Sequence, residues 1–509
     1  MPAPFAYDVV DYPSLALPQA HPGHLYAVAR MFGCDPAPVE NCRVLEVGCG
    51  DGLHLIACAI GMPRATFVGL DLSTEAVARG RRLIGDLGLI NIELLAADVT
   101  TWSPPAEPFD YAFAHGFYSW VPPFVRDAVL KLFATALAPT GVGYLSYNTY
   151  PGCYVRRMLW EMMKFHTDGI DDPTAKIGQA REFAKFLGAG AQGEQSDAAF
   201  GFMKREVEEI LGNQDPRVLY HDDLGPINDP VYFRDFAAHA GEFGLRFVAE
   251  AEQFTMEPRG FPPEIEGILN GLLEKGAVLK EQYIDFLRVR RFRETLLAPD
   301  GRAPSAHPDP TRIGTLAASG QPKPDDQSPD LSPGVAAVFR SGKALVRTDL
   351  AIGKAALVAL AECWPERVPF GELVRRAAAK LGLSPAAAHD AEQLAELLTA
   401  AWMTGIIKLH GHVPVCVDTV GERPRACPLA RAQARAGPWV TSRYLKTMQF
   451  EDAPSRKMLE SLDGTRDLDG VLAEMRESFP PGQHPDAATL RAGVEKNLLR
   501  LAKSGLLVG

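Results

Sequence analysis

Arg43-Val44-Leu45-Glu46-Val47-Gly48-Cys49-Gly50-Asp51-Gly52 is the stretch whose reading decides the fold. Val44, Leu45 and Val47 make a short apolar run of the length of a buried parallel strand, and glycines at every second position open the turn after it. His54 to Ile60 then continues as an apolar helix, so the order is strand, glycine turn, helix. Glycine lets backbone approach a ligand closely, and the helix start beyond it presents free N–H groups. Glycine turns also serve packing alone, so this stretch by itself leaves both uses open.

Two acids downstream decide between them. Thr66-Phe67-Val68-Gly69-Leu70-Asp71 is a second short strand ending in an acid, 21 residues after Gly50. That is the placement of a carboxylate that accepts hydrogen bonds from a ribose diol. Residues 92–97 form a third strand, followed by Asp98. A dinucleotide fingerprint, G-x-G-x-x-G, fits poorly because Gly52 comes one residue too early. Further strands are expected at 109–114, 143–147 and 245–250, the last after a helix at 232–242. The alternation predicts an α/β fold, a doubly wound Rossmann-like sheet with its ligand beyond the carboxyl ends of the strands.

Glu46-x-Gly48-x-Gly50-x-Gly52 with Asp71 and Asp98 resembles the class I S-adenosylmethionine-dependent methyltransferases. The resemblance implies S-adenosyl-L-methionine as cofactor, with the glycine turn under its methionine part, Asp71 on the ribose and Asp98 at the adenine amino group. The implied cofactor-binding set is Glu46, Gly48, Cys49, Gly50, Asp71, Leu72, Asp98, Val99 and His115. A narrower resemblance rests on Tyr-Pro-Ser-Leu (12–15), Pro-Gln-x-His-Pro (18–22), His-Gly-Phe-Tyr-Ser-Trp-Val-Pro (115–122) and Ser-Tyr-Asn-Thr-Tyr-Pro-Gly (146–152). Asn-Asp-Pro-Val-Tyr-Phe (228–233) and the Arg-rich run 282–297 complete it. Together they look like bacterial methyltransferases with a methyltransferase regulatory domain, a group that includes the rickettsial protein-lysine methyltransferases of outer-membrane proteins. Ala20 stands where Ser or Thr is expected, and Cys153 where Trp is expected.

The loops after the fourth and fifth strands, 115–123 and 147–152, face the same cleft and are aromatic with polar tips. Such a wall suits a cationic or amine acceptor. His115, Tyr118, Asn148 and Tyr150 are the candidate catalytic residues, with Trp120, Tyr147 and His221 lining the acceptor side. A lysine attacks as the neutral amine, so a desolvating wall that lowers its pKa helps. The expected acceptor is the lysine side chain of a protein. A small molecule or peptide acceptor is one alternative, and a cofactor-binding sensor or scaffold without turnover is another.

The chain of 509 residues is too long for one core. Its 47% hydrophobic and 23% charged content is that of a soluble globular protein, and a net charge of −11 argues against nonspecific nucleic-acid binding. Eight cysteines without a C-x-x-C pair predict neither disulfides nor a metal site. With no signal segment and no membrane span in the sequence, a cytoplasmic location is expected.

The expected domains are a strap or lid (1–40), touching the cofactor through Tyr12, Gln19 or His21, and a catalytic domain (41–255). The latter carries a helical insertion (about 153–215) whose Met stripe serves packing or a homodimer. A helical middle segment and Pro-rich linker (256–334) follow, helical over 262–297 with Arg288, Arg290, Arg291 and Arg293 on a solvated face or in an ion-pair network. Residues 335–420 and 421–509 repeat helix, helix, longer helix, strand, a mainly helical winged-helix plan better suited to protein contact or dimerisation than to DNA.

Overall fold

The computed structural model describes residues 6–190, 198–212, 215–301, 304–383, 388–417, 419–479 and 485–509. The first five residues of the expected strap, residues 191–197 of the insertion's polar break and residues 302–303 of the expected linker lie outside them.

Seven strands form the central sheet: β1 (Arg43–Val47), β2 (Thr66–Asp71), β3 (Ile92–Ala96), β4 (Phe109–Ala114), β5 (Leu137–Asn148), β6 (Leu245–Glu250) and β7 (Phe292–Pro299). Their order is β3-β2-β1-β4-β5-β7-β6, with the first five parallel and β7 antiparallel to both β5 and β6. Successive strand residues point to opposite faces, so Val44 packs into one layer while Leu45 and Val47 pack into the other. Chain order reverses between β1 and β4, which puts the crevice at the carboxyl ends of those strands.

The helical reading of 262–297 holds only as far as Arg288. Helices cover Pro263–Leu273 and Ala277–Arg288, and 292–299 is a strand that slots between β5 and β6. The expected middle segment therefore completes the central sheet. Its arginines are not on a solvated face throughout. Arg293 is buried and donates to Glu250 (2.6 Å), Asp285 (2.8 Å) and Glu281 (3.2 Å), with its guanidinium 3.8 Å from the Phe233 ring centre. Arg290 adds a contact to Asp285 at 2.9 Å.

The insertion consists of helices Cys153–His166, Pro173–Gly190 and Ala198–Gly212. Leu159 and Met163 of its apolar stripe are buried in the insertion's own core, whereas Met158 remains exposed. The Pro-rich segment is not a free linker. Ser305 N donates to Phe32 O (2.8 Å), and strand Ala317–Ser319 is the middle strand of a small sheet with Val368–Pro369 and Lys408–His410.

The first C-terminal unit is built on helices Ala351–Cys363, Phe370–Lys380 and Ala388–Met403, and it docks on the body around the central sheet. Gly411 N donates to Gly23 O (2.7 Å), Gln253 Nε2 donates to Trp402 O (2.7 Å), and the His21 and His412 rings stack at 5.5 Å. The second unit carries helices Pro428–Ala436, Ala453–Ser461, Leu468–Glu477 and Ala487–Lys503, with a hairpin of Trp439–Thr441 and Thr447–Gln449. Its expected terminal strand reduces to one bridge, Ala426 with Leu507. No described helix is long and apolar enough to cross a membrane.

Candidate active site

The glycine turn is pinned to β2. Gly48 N and Cys49 N both donate to Leu70 O, at 2.8 and 3.0 Å. Gly48 has φ +74°, and a Cβ there would sit 2.7 Å from Phe117, so the loop after β4 closes on the turn only because the residue is glycine. Over Gly50 the space is open, with nothing within 4 Å of where a Cβ would stand. Asp71 spans turn and helix: its Oδ2 accepts from Gly50 N (2.7 Å) and its Oδ1 from Ser73 N (2.8 Å). Burial raises the Asp71 carboxyl above the ordinary Asp value, and these two amides pull it back only in part.

Beneath the turn, Glu46 is buried, and its Oε2 has no partner among the described residues. Burial, aggravated by Asp71 and Asp51, holds its carboxyl well above the usual range. Leu72 is 54% exposed beside Asp71. Asp98 stands exposed at the end of β3 and accepts from Thr100 N (2.8 Å) and Oγ1 (2.7 Å); Val99 is half-buried beneath it. Cys49 is a buried free thiol. An unpartnered buried acid, an open glycine and two acids on adjacent strand ends fit a nucleoside cofactor carrying hydroxyl and amino donors.

His115 follows β4, and burial lowers its pKa to about 4, so the imidazole is neutral at physiological pH. Its Nδ1 lies 2.8 Å from the Tyr144 hydroxyl, which donates to Glu294 Oε1 (2.9 Å). Gln19 Nε2 donates to the same oxygen at 3.0 Å. Burial pushes the Glu294 carboxyl up to about 7. Of the expected strap contacts, Gln19 thus reaches the cleft wall. His21 does not: it caps the Pro22–Met31 helix, accepting from Gly23 N at 2.9 Å.

Two expected site residues are elsewhere. Tyr118 is buried on the far layer, where its hydroxyl shares a hydrogen bond with His239 Nδ1 (2.8 Å) and Arg126 lies 4.9 Å over its ring. Tyr147 is fully buried, stacked on Phe236 at 4.0 Å and bonded to Thr295 Oγ1 at 2.9 Å. Strand alternation explains the second case: Ser146 and Asn148 leave β5 on the opposite side from Tyr147.

Asn148 Nδ2 donates to Asn228 Oδ1 (2.8 Å), and Asn228 Nδ2 donates to Asp222 O (2.9 Å). Tyr150 stacks on Tyr154 at 4.2 Å and accepts from Arg157 at 2.8 Å. Trp120 is half-buried, and its Nε1 has no partner among the described residues. His221 Nε2 bonds Val10 O at 2.7 Å, and its ring stacks on Tyr7 at 4.2 Å. The strap therefore crosses the cleft: Asp8 accepts from Ser73 Oγ (2.5 Å) at one end, and Asp11 pairs with Arg217 (2.8 Å) at the other. Phe117 belongs to the aromatic wall the sequence predicts, whereas Ser73, Asp222 and Glu294 are not among the residues it singles out. Asp222 had a signal, an acid doublet beside His221; Glu294 was hidden in a run read as helix.

Three family models match the chain: a methyltransferase domain over 44–141, a predicted methyltransferase regulatory domain over 215–298, and a PKMT C-terminal winged helix domain over 422–484. An uncharacterised Rickettsia prowazekii protein, RP028, is 32% identical over 235 residues, 46% of this chain and 93% of that protein. A second, RP789, is 34% identical over 291 residues, 57% of this chain but only 52% of that protein's length. The solved structure of PKMT2 from Rickettsia typhi superposes with a TM-score of 0.85 at 26% identity, over 98% of this chain and all of that one. The same protein in complex with AdoHcy gives 0.84. The chain belongs to the S-adenosylmethionine-dependent methyltransferases of the rickettsial PKMT type.

Proposed function

We propose that the protein transfers a methyl group to the side-chain amine of lysine in a protein acceptor. The carrying observation is the Asp71 cradle, a half-buried carboxylate fixed by Gly50 N and Ser73 N and crossed by an aromatic strap. Glu46, Gly48, Gly50, Asp71 and Asp98 would hold the cofactor, which supplies an electrophilic methyl group when bound. The PKMT name of the structural neighbour is in keeping with a lysine acceptor.

The chain's own contribution is alignment and exclusion of water. Phe117 closes over Gly48, and the strap covers the side of Asp71. A neutral His115, held by Tyr144, adds no positive charge where a cation must enter. Asn148 and Tyr150 stay assigned to the acceptor side, with Trp120 beside them.

The test is mass spectrometry of candidate acceptors after incubation with methyl-labelled S-adenosylmethionine, wild type beside Asp71→Ala. Label on protein lysines, lost in the variant, is the expected result. Label only on small molecules would discard the lysine acceptor, and no label despite cofactor binding would favour a sensor.

A further inference from the structure

The most telling contrast outside the cradle lies on the turn Leu219–Asp223, where Asp222 and Asp223 stand side by side in opposite circumstances. Asp223 is saturated: Arg156 Nε and Nη2 donate to its two oxygens at 2.7 and 2.9 Å, and Trp160 Nε1 donates at 2.7 Å. Half-buried Asp222 has no ion pair among the described residues, and its Oδ2 receives the Tyr12 hydroxyl across a long 3.4 Å. Beside it, Tyr7 lies flat on the His221 ring at 4.2 Å, and Tyr12 meets that ring edge-on at 5.6 Å. Asn228 grips the Asp222 carbonyl and joins it to Asn148 at the end of β5. Tyr7 and Tyr12 belong to the strap that reaches Ser73 and the cofactor cradle.

Aromatic faces around a carboxylate that lacks a fixed cation are the chemistry that recognises an ammonium group. The geometry points to Asp222, with Tyr7, Tyr12 and His221 beside it, as the site that receives the acceptor's ammonium and takes its proton. The inference rests on the methyl-transfer reading above. In the step, an ammonium N–H bond breaks, its electron pair stays on nitrogen, and the proton passes to Asp222 and on to solvent. The freed pair then forms the N–C bond while the pair of the breaking C–S bond returns to sulfur.

The groups facing Asp222 are Tyr7 and Tyr12 from the strap, His221 and Asp223 from its own turn, Asn228 from the following loop and Arg156 from the insertion. Burial and the neighbouring Asp223 push its carboxyl up to about 7, against the pull of Tyr12 and Arg156, which suits a proton acceptor near neutral pH.

The experiment compares wild type, Asp222→Asn and Tyr12→Phe, with poly-L-lysine as acceptor probe and calorimetric S-adenosylhomocysteine binding as the control for folding. Asp222→Asn is expected to keep nucleoside binding and lose at least about a hundredfold in turnover at neutral pH, a loss that narrows as pH rises and solvent supplies the free amine. Tyr12→Phe is expected to raise KM for poly-L-lysine more than it lowers kcat. In cofactor-free protein labelled with 13C-aspartate, one carboxyl signal, absent from Asp222→Asn, should titrate near pH 7 and move to lower pH on adding n-butylammonium. Wild-type methylation of poly-L-lysine with Asp222→Asn equally active, or a carboxyl signal indifferent to n-butylammonium, overturns this inference and leaves the lysine reading intact. No label on poly-L-lysine from the wild type overturns both.

Discussion

Two regions of this molecule bury acids, and they treat them in opposite ways. On the β6–β7 side, Glu250, Glu281 and Asp285 surround Arg293 and Arg290, so each buried charge has a cation. Burial works to raise all three carboxyls; the two arginines hold Glu250 below the ordinary value, whereas at Glu281 and Asp285 they offset burial only in part and both stay raised. Along the cleft, Glu46, Asp71, Asp222 and Glu294 are raised by burial and have no fixed cationic partner among the described residues that offsets it. Paired buried charges specify how elements dock, whereas unpaired ones carry a standing cost that a ligand relieves. The first region is architecture, and the second is where chemistry is expected.

The largest effect should come from breaking the paired region. Arg293→Met leaves three carboxylates without their shared cation and should cost about 3–5 kcal/mol of stability. Urea denaturation would register this as a lower midpoint, while folded protein still binds S-adenosylhomocysteine. Asp71→Asn is the converse. It should weaken S-adenosylhomocysteine binding by roughly ten- to a hundredfold, the worth of about 1.5–3 kcal/mol for hydrogen bonds to a charged group. Its urea midpoint should stay near that of the wild type, and calorimetry beside denaturation separates the two outcomes.

The unpaired region also predicts a pH dependence. Glu294 has a folded pKa of about 7 against an ordinary 4.5, so the folded state holds its proton more tightly than the unfolded chain. Its contribution is complete below pH 4.5 and is lost as pH rises through 7, a fall of at most about 3.4 kcal/mol. Denaturation of the cofactor-free protein at several pH values should show this decline, and Glu294→Gln should flatten it. An unchanged slope in the variant would assign the decline to other acids. The smallest effect belongs to Tyr118→Phe, which loses one buried hydrogen bond to His239 and should cost about 1 kcal/mol with kcat unchanged. A large loss of kcat would return Tyr118 to the catalytic set.

The parallel half of the sheet was legible because β1, β2 and β3 are short apolar runs closed by glycine or an acid and β4 is a run of the same kind, while of the longer β5 only the apolar end, 143–147, stood out. β7 was not. Phe292 to Leu297 follows directly on a helix, and its Arg293, Glu294 and Thr295 read as a charged face until Glu250 and Asp285 arrive from other elements to pair them. The same gap between local pattern and tertiary partners hid the site. Gly50 and Asp71 announce themselves by spacing, since one strand–turn–helix unit fixes both. Tyr118 and Tyr147 sit in the right loops but turn into the far core, where Phe236 and His239 wait more than 80 residues downstream. Asp222 and Glu294 matter through the fixed cation that each lacks among the described residues, and a missing cation cannot be seen in one dimension.

The most direct test is a crystal structure of the protein with S-adenosylhomocysteine. The account predicts the ribose hydroxyls within hydrogen-bond distance of the Asp71 carboxylate, the purine beside Asp98, and the strap's Tyr7 and Tyr12 closing the same cleft. A nucleoside bound elsewhere, with Asp71 still bonded to Gly50 N and Ser73 N alone, would contradict it.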